Sequence, residues 1–280
     1  MKVLPFKIPK PKNEALVFQI DQGPLFYDLL HQHAEIQISY VLKGSGSLIV
    51  GDSINEYKSG DVLVIGGNHP HVFKSDATTS EESIMYTLFF SPNSFGEKFF
   101  ALPDLALTHS FFEKCRYGMK LVSNGKKVRD LFENLRGQNK VEQISTLLLI
   151  INLIGKSETK PLSSFVYKKD YSDKEGKRMG KVIQYVMENF HDQITLESVS
   201  EKANMSKNAF CRYFKKRTNK TFFQFLIEVR IEHACKLLLN EHDLSISQIA
   251  ESCGFNNIAN FNRKFKALKD CAPSRYRRQF

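Results

Sequence analysis

No stretch of this sequence is both long and apolar enough to cross a bilayer. The longest apolar run, Leu147 to Ile154, is interrupted by Asn152 and falls well short of the roughly 20 residues a spanning helix needs. Cysteine is sparse: Cys115, Cys211, Cys235, Cys253 and Cys271 are odd in number and never spaced as CxxC. That excludes a framework in which every cysteine is paired, and it points to free thiols in a reducing cytoplasm. The N-terminus has no secretory pattern. Met1 to Leu16 carries Lys2, Lys7, Lys10 and Lys12 with three prolines, and no apolar core follows, so a cytoplasmic protein without a membrane partner is expected. Net charge is also missing from the first 155 residues, where 16 basic side chains face 16 acidic ones.

The 280 residues are comfortable for two domains, and the 42% hydrophobic and 25% charged content is ordinary for a globular chain. The net charge of +10 lies entirely in the last 125 residues, with +3 over residues 156–180 and +7 over residues 181–280. Such asymmetry suggests a polyanion as partner of the C-terminal part, although a basic face kept for solubility would look the same.

Two textures meet near residue 160. In the first, Ile36, Ile38, Tyr40 and Leu42 alternate with Glu35, Gln37, Ser39 and Val41, which is a strand period. Turns at residues 43–46, 51–52, 60–61 and 66–68 separate further apolar runs, as far as a strand over Ser83 to Phe90. Many short strands with regular turns predict an antiparallel sandwich or barrel. Lys126 to Arg136 and Val141 to Ile154 then read as helices; the second is apolar nearly all round, as at a dimer interface or inside the monomer. Residues 1–155 are thus expected as one domain, 156–180 as a linker rich in Lys, Ser, Asp and Gly, and 181–280 as an all-helical domain.

Residues 181–280 hold an internal repeat of about 50 residues. Leu196, Val199 and Met205 match Ile246, Ile249 and Phe255. After one extra residue at Asn256 or Asn257, Phe210, Arg212, Phe214 and Lys215 match Phe261, Arg263, Phe265 and Lys266. Each copy reads as a short helix, a tight turn and a longer helix. The turn needs a residue tolerant of positive φ, supplied by Asn204 and Gly254. Ser206 is placed to cap the second helix of the first copy, and Asn256 or Asn257 that of the second. Phe261, Phe265 and Leu268 form one stripe, expected as core. Ile258, Ala259, Asn262, Arg263 and Lys266 lie on another face, as do Asn208, Cys211, Arg212, Lys215 and Lys216 in the first copy. A helix-turn-helix sets its second helix in the major groove, where Arg suits guanine, Asn suits adenine, and Ile258 and Ala259 suit thymine methyls. With the helix-start residues Ser206, Lys207, Asn256 and Asn257, these residues are the expected DNA-contacting set. Solvated helix-face charges are the plain alternative, made less attractive by the recurrence of Arg at matched positions. Thr221 to Leu239 reads as a long helix joining the copies, which would let them enter successive major grooves roughly 34 Å apart.

The ordered run Phe210 to Lys216, Arg230 to Ala234, Leu237 to Leu239, Ile249 to Phe255 and Ala272 to Arg277 resembles the AraC/XylS family of bacterial transcription regulators, continuously over residues 181–280. Ser200 and Asn219 depart from the family's usual Ala and Gly, and Cys211 stands where a more polar residue is usual. Residues 15–90, with His31, His33, Glu35, Gln37, Gly60-Asp61 and His71, resemble the cupin-like ligand-binding domain of sugar-responsive members. The resemblance implies a two-domain chain, an N-terminal antiparallel β-barrel with accompanying helices followed by an all-α domain with two helix-turn-helix motifs.

Along a strand, His31, His33, Glu35 and Gln37 share a face. With His71 they are expected to hydrogen-bond a small polar ligand, a sugar by resemblance. The acid of a metal-binding cupin is replaced by Gln37, a poor ligand beside imidazole, so no metal or other cofactor is expected. The resulting expectation is a ligand-responsive transcription regulator, homodimeric through its N-terminal domain, with promoter DNA as partner and RNA polymerase recruited as the resemblance implies. A metal-dependent cupin enzyme on a DNA-binding tail and a constitutive DNA-binding protein whose barrel only dimerises are the alternatives.

Overall fold

Alternating apolar residues make β2 (Ile36–Lys43) a strand, but its burial does not alternate: six consecutive residues from Ile36 to Val41 are buried. The reason is visible in a computed structural model of the protein, which describes residues 6–7, 11, 14–76, 82–166 and 172–279. The chain divides into two units, Met1–Gly176 and Lys177–Phe280.

In the first unit, β1 (Val17–Gly23) precedes β2, and β3 (Gly46–Val50), β4 (Ser53–Tyr57), β5 (Val62–Ile65), β6 (His71–Ser75) and β7 (Ser83–Phe90) follow it. Then come α1 (His109–Cys115), β8 (Met119–Leu121), α2 (Gly125–Asn134), α3 (Lys140–Lys156) and β9 (Thr159–Pro161). One sheet has the order β1-β7-β2-β5-β8-β9 and the other the order β4-β3-β6, every pairing antiparallel. Ile36, Ile38, Tyr40, Val64, Leu88 and Phe90 pack against Phe111, Val128, Phe132, Leu147 and Ile150 of the helices. On the opposite face, Val41, Leu63, Ile65 and Met85 pack against Leu48, Val50 and Phe73 of the smaller sheet.

This layering corrects the expected closed barrel. The sheets are open, with β1 and β9 as edges of the larger and β4 and β6 as edges of the smaller. A barrel closes because its strands must bury one inner face and remove their edges. Here the second face of the large sheet is covered by α1, α2 and α3, so both faces are buried without closure. The first unit is mixed α/β, and the cupin-like reading and its barrel-based ligand sensing do not hold.

Residues 156–180, expected as a linker, contain β9 and the first turns of α4 (Asp173–Asn189); residues 167–171 lie outside the described ones. After β9 the chain is pinned to the smaller sheet. Fully buried Asp52 accepts from Ser163 Oγ at 3.0 Å and from the backbone N–H and side-chain hydroxyl of Ser164.

The second unit is all helix: α4, α5 (Leu196–Lys202), α6 (Lys207–Thr218), α7 (Phe222–Asn240), α8 (Ile246–Ser252), α9 (Ile258–Lys269) and α10 (Pro273–Gln279). Ile231, Ala234, Cys235 and Leu238 of α7 form one core with Ile249, Ala250, Phe261 and Phe265. Phe214 meets Phe222 and Phe225 of α7 at ring separations of 5.6 Å, which seats the first motif on the same helix. Leu268, expected in the core stripe, is 41% exposed. No helix among the described residues is long and apolar enough to cross a membrane.

Candidate nucleic-acid interface and a buried histidine cluster

The two copies of the repeat are built by the same local bonds. Thr195 and Ser245 each accept a backbone N–H three residues on, at 3.1 and 3.2 Å, and so start α5 and α8. Each helix then stops at a left-handed residue, Asn204 with φ 50° and Gly254 with φ 78°. The following residue turns back identically, Met205 N–H to Ser200 O and Phe255 N–H to Ala250 O, both 3.0 Å. Ser206 caps α6, and Asn257 rather than Asn256 caps α9, accepting from Asn260 N–H at 3.0 Å. Both long helices end on a left-handed cap, Asn219 and Asp270. Buried Ser200 is satisfied by donating to Glu197 O at 3.0 Å, which explains how a hydroxyl is tolerated there.

Counted from these caps, Arg212 and Arg263 are both the sixth residue of their helices. The residues expected to contact DNA are all exposed: Ser206, Lys207, Asn208, Cys211, Arg212, Lys215 and Lys216 in the first copy, and Asn256, Asn257, Ile258, Ala259, Asn262, Arg263 and Lys266 in the second. Phe210, Phe214, Phe261 and Phe265 point inward and are fully buried. Some of the outward groups are already engaged within the protein. Lys207 is paired with Glu197, and Arg263 donates to Asn260 Oδ1 at 3.0 Å, which holds the guanidinium over the first turn of α9.

Residues that the sequence reading passed over also shape this surface. Ser247 at the start of α8 and Ser274 in α10 line one concavity with Ile258, Asn262, Arg263 and Lys266. Small exposed serines carry no signal of their own in a sequence. Arg230 is different. It interrupts the apolar run of α7 between buried Val229 and Ile231, and it donates from Nε to Phe190 O and from Nη2 to Asp192 O, both at 2.7 Å. A cation set directly between two buried β-branched residues is the signal that could have marked it as an anchor.

In the first unit, the structure brings together most of the expected ligand-binding residues. His31 and His33 precede β2, Gln37 lies in β2 and His71 begins β6; all four are buried. His31 and His71 exchange two backbone hydrogen bonds, at 3.0 and 2.8 Å. Their ring centroids are 4.2 Å apart, with the His33 ring 5.0 Å from His71. A buried polar ladder runs on from His33 Nε2 to Gln37 Oε1 at 3.0 Å, Gln37 to Ser39 Oγ at 2.9 Å, and Ser39 Oγ to Thr87 Oγ1 at 3.0 Å. Glu35 is only half-buried, and its Oε2 lies 4.0 Å from His33 Nδ1. Burial first, and then the neighbouring His31 and His33, hold the His71 imidazole well below the usual histidine range.

Comparison with known proteins bears directly on the helical unit. The helix-turn-helix domain family matches residues 199–279. An uncharacterized HTH-type transcriptional regulator of Bacillus subtilis, YdeC, is 25% identical over 276 residues, covering 92% of this chain and 89% of its own. An uncharacterized HTH-type transcriptional regulator of Staphylococcus aureus is 26% identical over 249 residues, 86% of this chain; the match spans only 31% of that longer protein. Among solved structures, the C-terminal domain of the response regulator yesN from Fusobacterium nucleatum is 34% identical over 34% of this chain and 93% of its own, with a TM-score of 0.33.

The second unit carries a helix-turn-helix domain. The chain is a DNA-binding transcriptional regulator acting through it. The matched domain stops short of the first unit, whose open sheets leave the combined AraC/XylS-with-cupin assignment without support.

Proposed function

We propose that this regulator recognises a two-part DNA site, with α6 and α9 each entering a major groove. Arg212 and Arg263 are then the principal base-reading side chains. The observation that carries this reading is their equivalence: each is exposed and sixth in a helix that starts and stops on the same capping bonds. Arg paired to guanine O6 and N7 is the commonest specific contact in that groove, and Asn208 and Asn262 would supply amides suited to adenine. Lys207, Lys215, Lys216 and Lys266 would bind phosphates, with Ser206, Asn256 and Asn257 at the helix starts, where backbone N–H groups and the helix dipole favour an anion. Cys211, Ile258 and Ala259 would make the apolar contacts.

The first unit is read as the part that adjusts DNA binding. An effector does this only by binding two states of the protein with different affinity. Homodimerisation is supported by α3, which buries Leu147, Ile150, Ile151 and Ile154 yet exposes Val141 by 74% and Leu149 by 53%.

Selection of bound sequences from a random pool tests the two-part site. It should return two short conserved blocks about one helical turn, some 10 base pairs, apart. A single block would confine recognition to one motif.

A further inference from the structure

Each of the three buried histidines turns its Nδ1 toward a backbone carbonyl. His31 Nδ1 lies 2.8 Å from Leu29 O, His33 Nδ1 2.9 Å from Glu35 O, and His71 Nδ1 2.8 Å from His69 O. A carbonyl oxygen can only accept, so each Nδ1 carries a proton; the neutral His31 and His71 rings then keep their lone pair on Nε2, and His33 does so with the Gln37 amide turned to present its NH2 to that nitrogen. This outer bond is the one that sets the tautomer and orientation of metal-ligating histidines. One ring nitrogen from each of the three side chains lies within 4.8 Å of the other two. The Nε2 of fully buried His71 has no hydrogen-bond partner among the described residues. An unpartnered nitrogen lone pair at a fully buried position is costly unless something positive lies beside it.

We propose that His31, His33 and His71 form a binding site for one divalent transition-metal ion of the zinc type, held through their Nε2 atoms. Tetrahedral coordination with bonds of about 2.1 Å puts ligand nitrogens about 3.4 Å apart, so the rings close on the ion by shifts of under about 1 Å. The backbone is rigid enough to hold them, because His31 and His71 face each other across a doubly hydrogen-bonded bridge. Three imidazoles without thiolate or a carboxylate cage suit zinc, copper, nickel or iron rather than magnesium or calcium. Three protein ligands also leave a fourth position for water or a small anion. The Gln37 amide, 3.0 Å from His33 Nε2, gives up that contact when the ion binds and then borders the fourth position, and the Glu35 carboxylate beside His33 offsets part of the ion's charge. Gln37 in place of an acid is therefore no obstacle, since the three rings supply the ligand set themselves. Because the rings pack at 4.2 and 5.0 Å, the space they enclose matches an ion better than a sugar. The ion would cross-link the segment entering β2 to β6 in the other sheet. The site stands apart from the DNA-binding reading; only its regulatory consequence rests on that reading.

The test uses the full chain, stripped with a chelator and dialysed, then titrated with zinc(II) and, as a spectroscopic probe, cobalt(II). One ion per chain should bind with a rise in Tm, and cobalt should give a visible band that zinc abolishes. His33→Ala and His71→Ala should each weaken binding at least about 100-fold, while His191→Ala, at an exposed site in the second unit, leaves it unchanged. Circular dichroism separates lost ligation from lost folding, and the wild-type cobalt band stands even where an alanine variant unfolds. The absence of saturable one-to-one binding in the wild type overturns the proposal, as does unchanged affinity in the folded variants. DNA affinity of the stripped protein is measured alongside. Intact DNA binding without metal binding removes this proposal alone, and metal binding without DNA binding removes the other reading alone.

Discussion

Arg230 donates to the carbonyl of Phe190 at 2.7 Å, and the same carbonyl would lie 2.7 Å from a Cβ placed on Gly254. One oxygen thus joins the approach to the first motif, the connecting helix α7 and the turn of the second motif. The guanidinium also sits 5.8 Å from the centre of the Phe255 ring. The two motifs are held in register by this cluster as well as by the apolar core of α7.

Arg230→Ala removes charge-assisted hydrogen bonds to Phe190 O and Asp192 O and should destabilise the helical unit by about 2–4 kcal/mol. Thermal unfolding measures the loss. A gel-shift series with altered half-site spacing should show relaxed spacing preference; an unchanged preference would mean that α7 alone sets the register.

Gly254→Ala should cost more than its single methyl suggests. The position has φ 78°, and the new Cβ would sit 2.9 Å from the Arg230 guanidinium. About 1–3 kcal/mol of backbone strain is expected before the clash is counted. Asn204→Gly, at the matching turn of the first motif, should be close to neutral because it relieves the positive φ.

Arg212→Ala and Arg263→Ala should each weaken binding to the selected site by about 1–3 kcal/mol and relax base preference in one block only. Competition binding against random DNA decides the matter. Equal losses on both would make these residues phosphate contacts.

The helix α9 separates core from surface sharply. Phe261→Ala, at a fully buried position packed on Phe255 and Phe265, should cost about 3–5 kcal/mol in chemical denaturation. Leu268→Ala, 41% exposed, should cost under about 1 kcal/mol.

Thiol chemistry reports on the interface. Cys211 is exposed on α6, whereas Cys115, Cys235 and Cys253 are buried. Burial pushes the Cys253 thiol up to about 12, so near pH 8 it stays protonated and poorly nucleophilic. Mass spectrometry after brief alkylation should find Cys211 modified first, with half-buried Cys271 next and the buried three unmodified. Bound DNA should protect Cys211; equal labelling with and without DNA would take α6 out of the interface.

Nearly all of the helical unit was legible in the sequence because its determinants are local. Helix periodicity, caps such as Ser206 and Asn257, and a left-handed residue at Asn204 or Gly254 act within some 20 residues, and duplication states each of them twice. The exposure of Leu268 escaped that logic, since periodicity predicts a face but not whether anything covers it.

The first unit shows the opposite limit. Alternation in β2 announces a strand and puts Gln37 and Ser39 opposite Ile36 and Ile38, but it cannot say which strands pair or what lies on the second face. Pairing of β1 with β7, of β5 with the three-residue β8, and of β8 with β9 joins segments far apart in the chain, and helices packed on the large sheet removed the need for a closed barrel. The histidines were readable as a group, and each Nδ1 turns to a carbonyl only two residues away, yet only tertiary structure set His71 against His31. By itself the sequence determined two matched helix-turn-helix motifs, because short-range bonds build them. Long-range pairing decided the open sheets and the meeting of His71 with His31, because neither depends on neighbours in the chain.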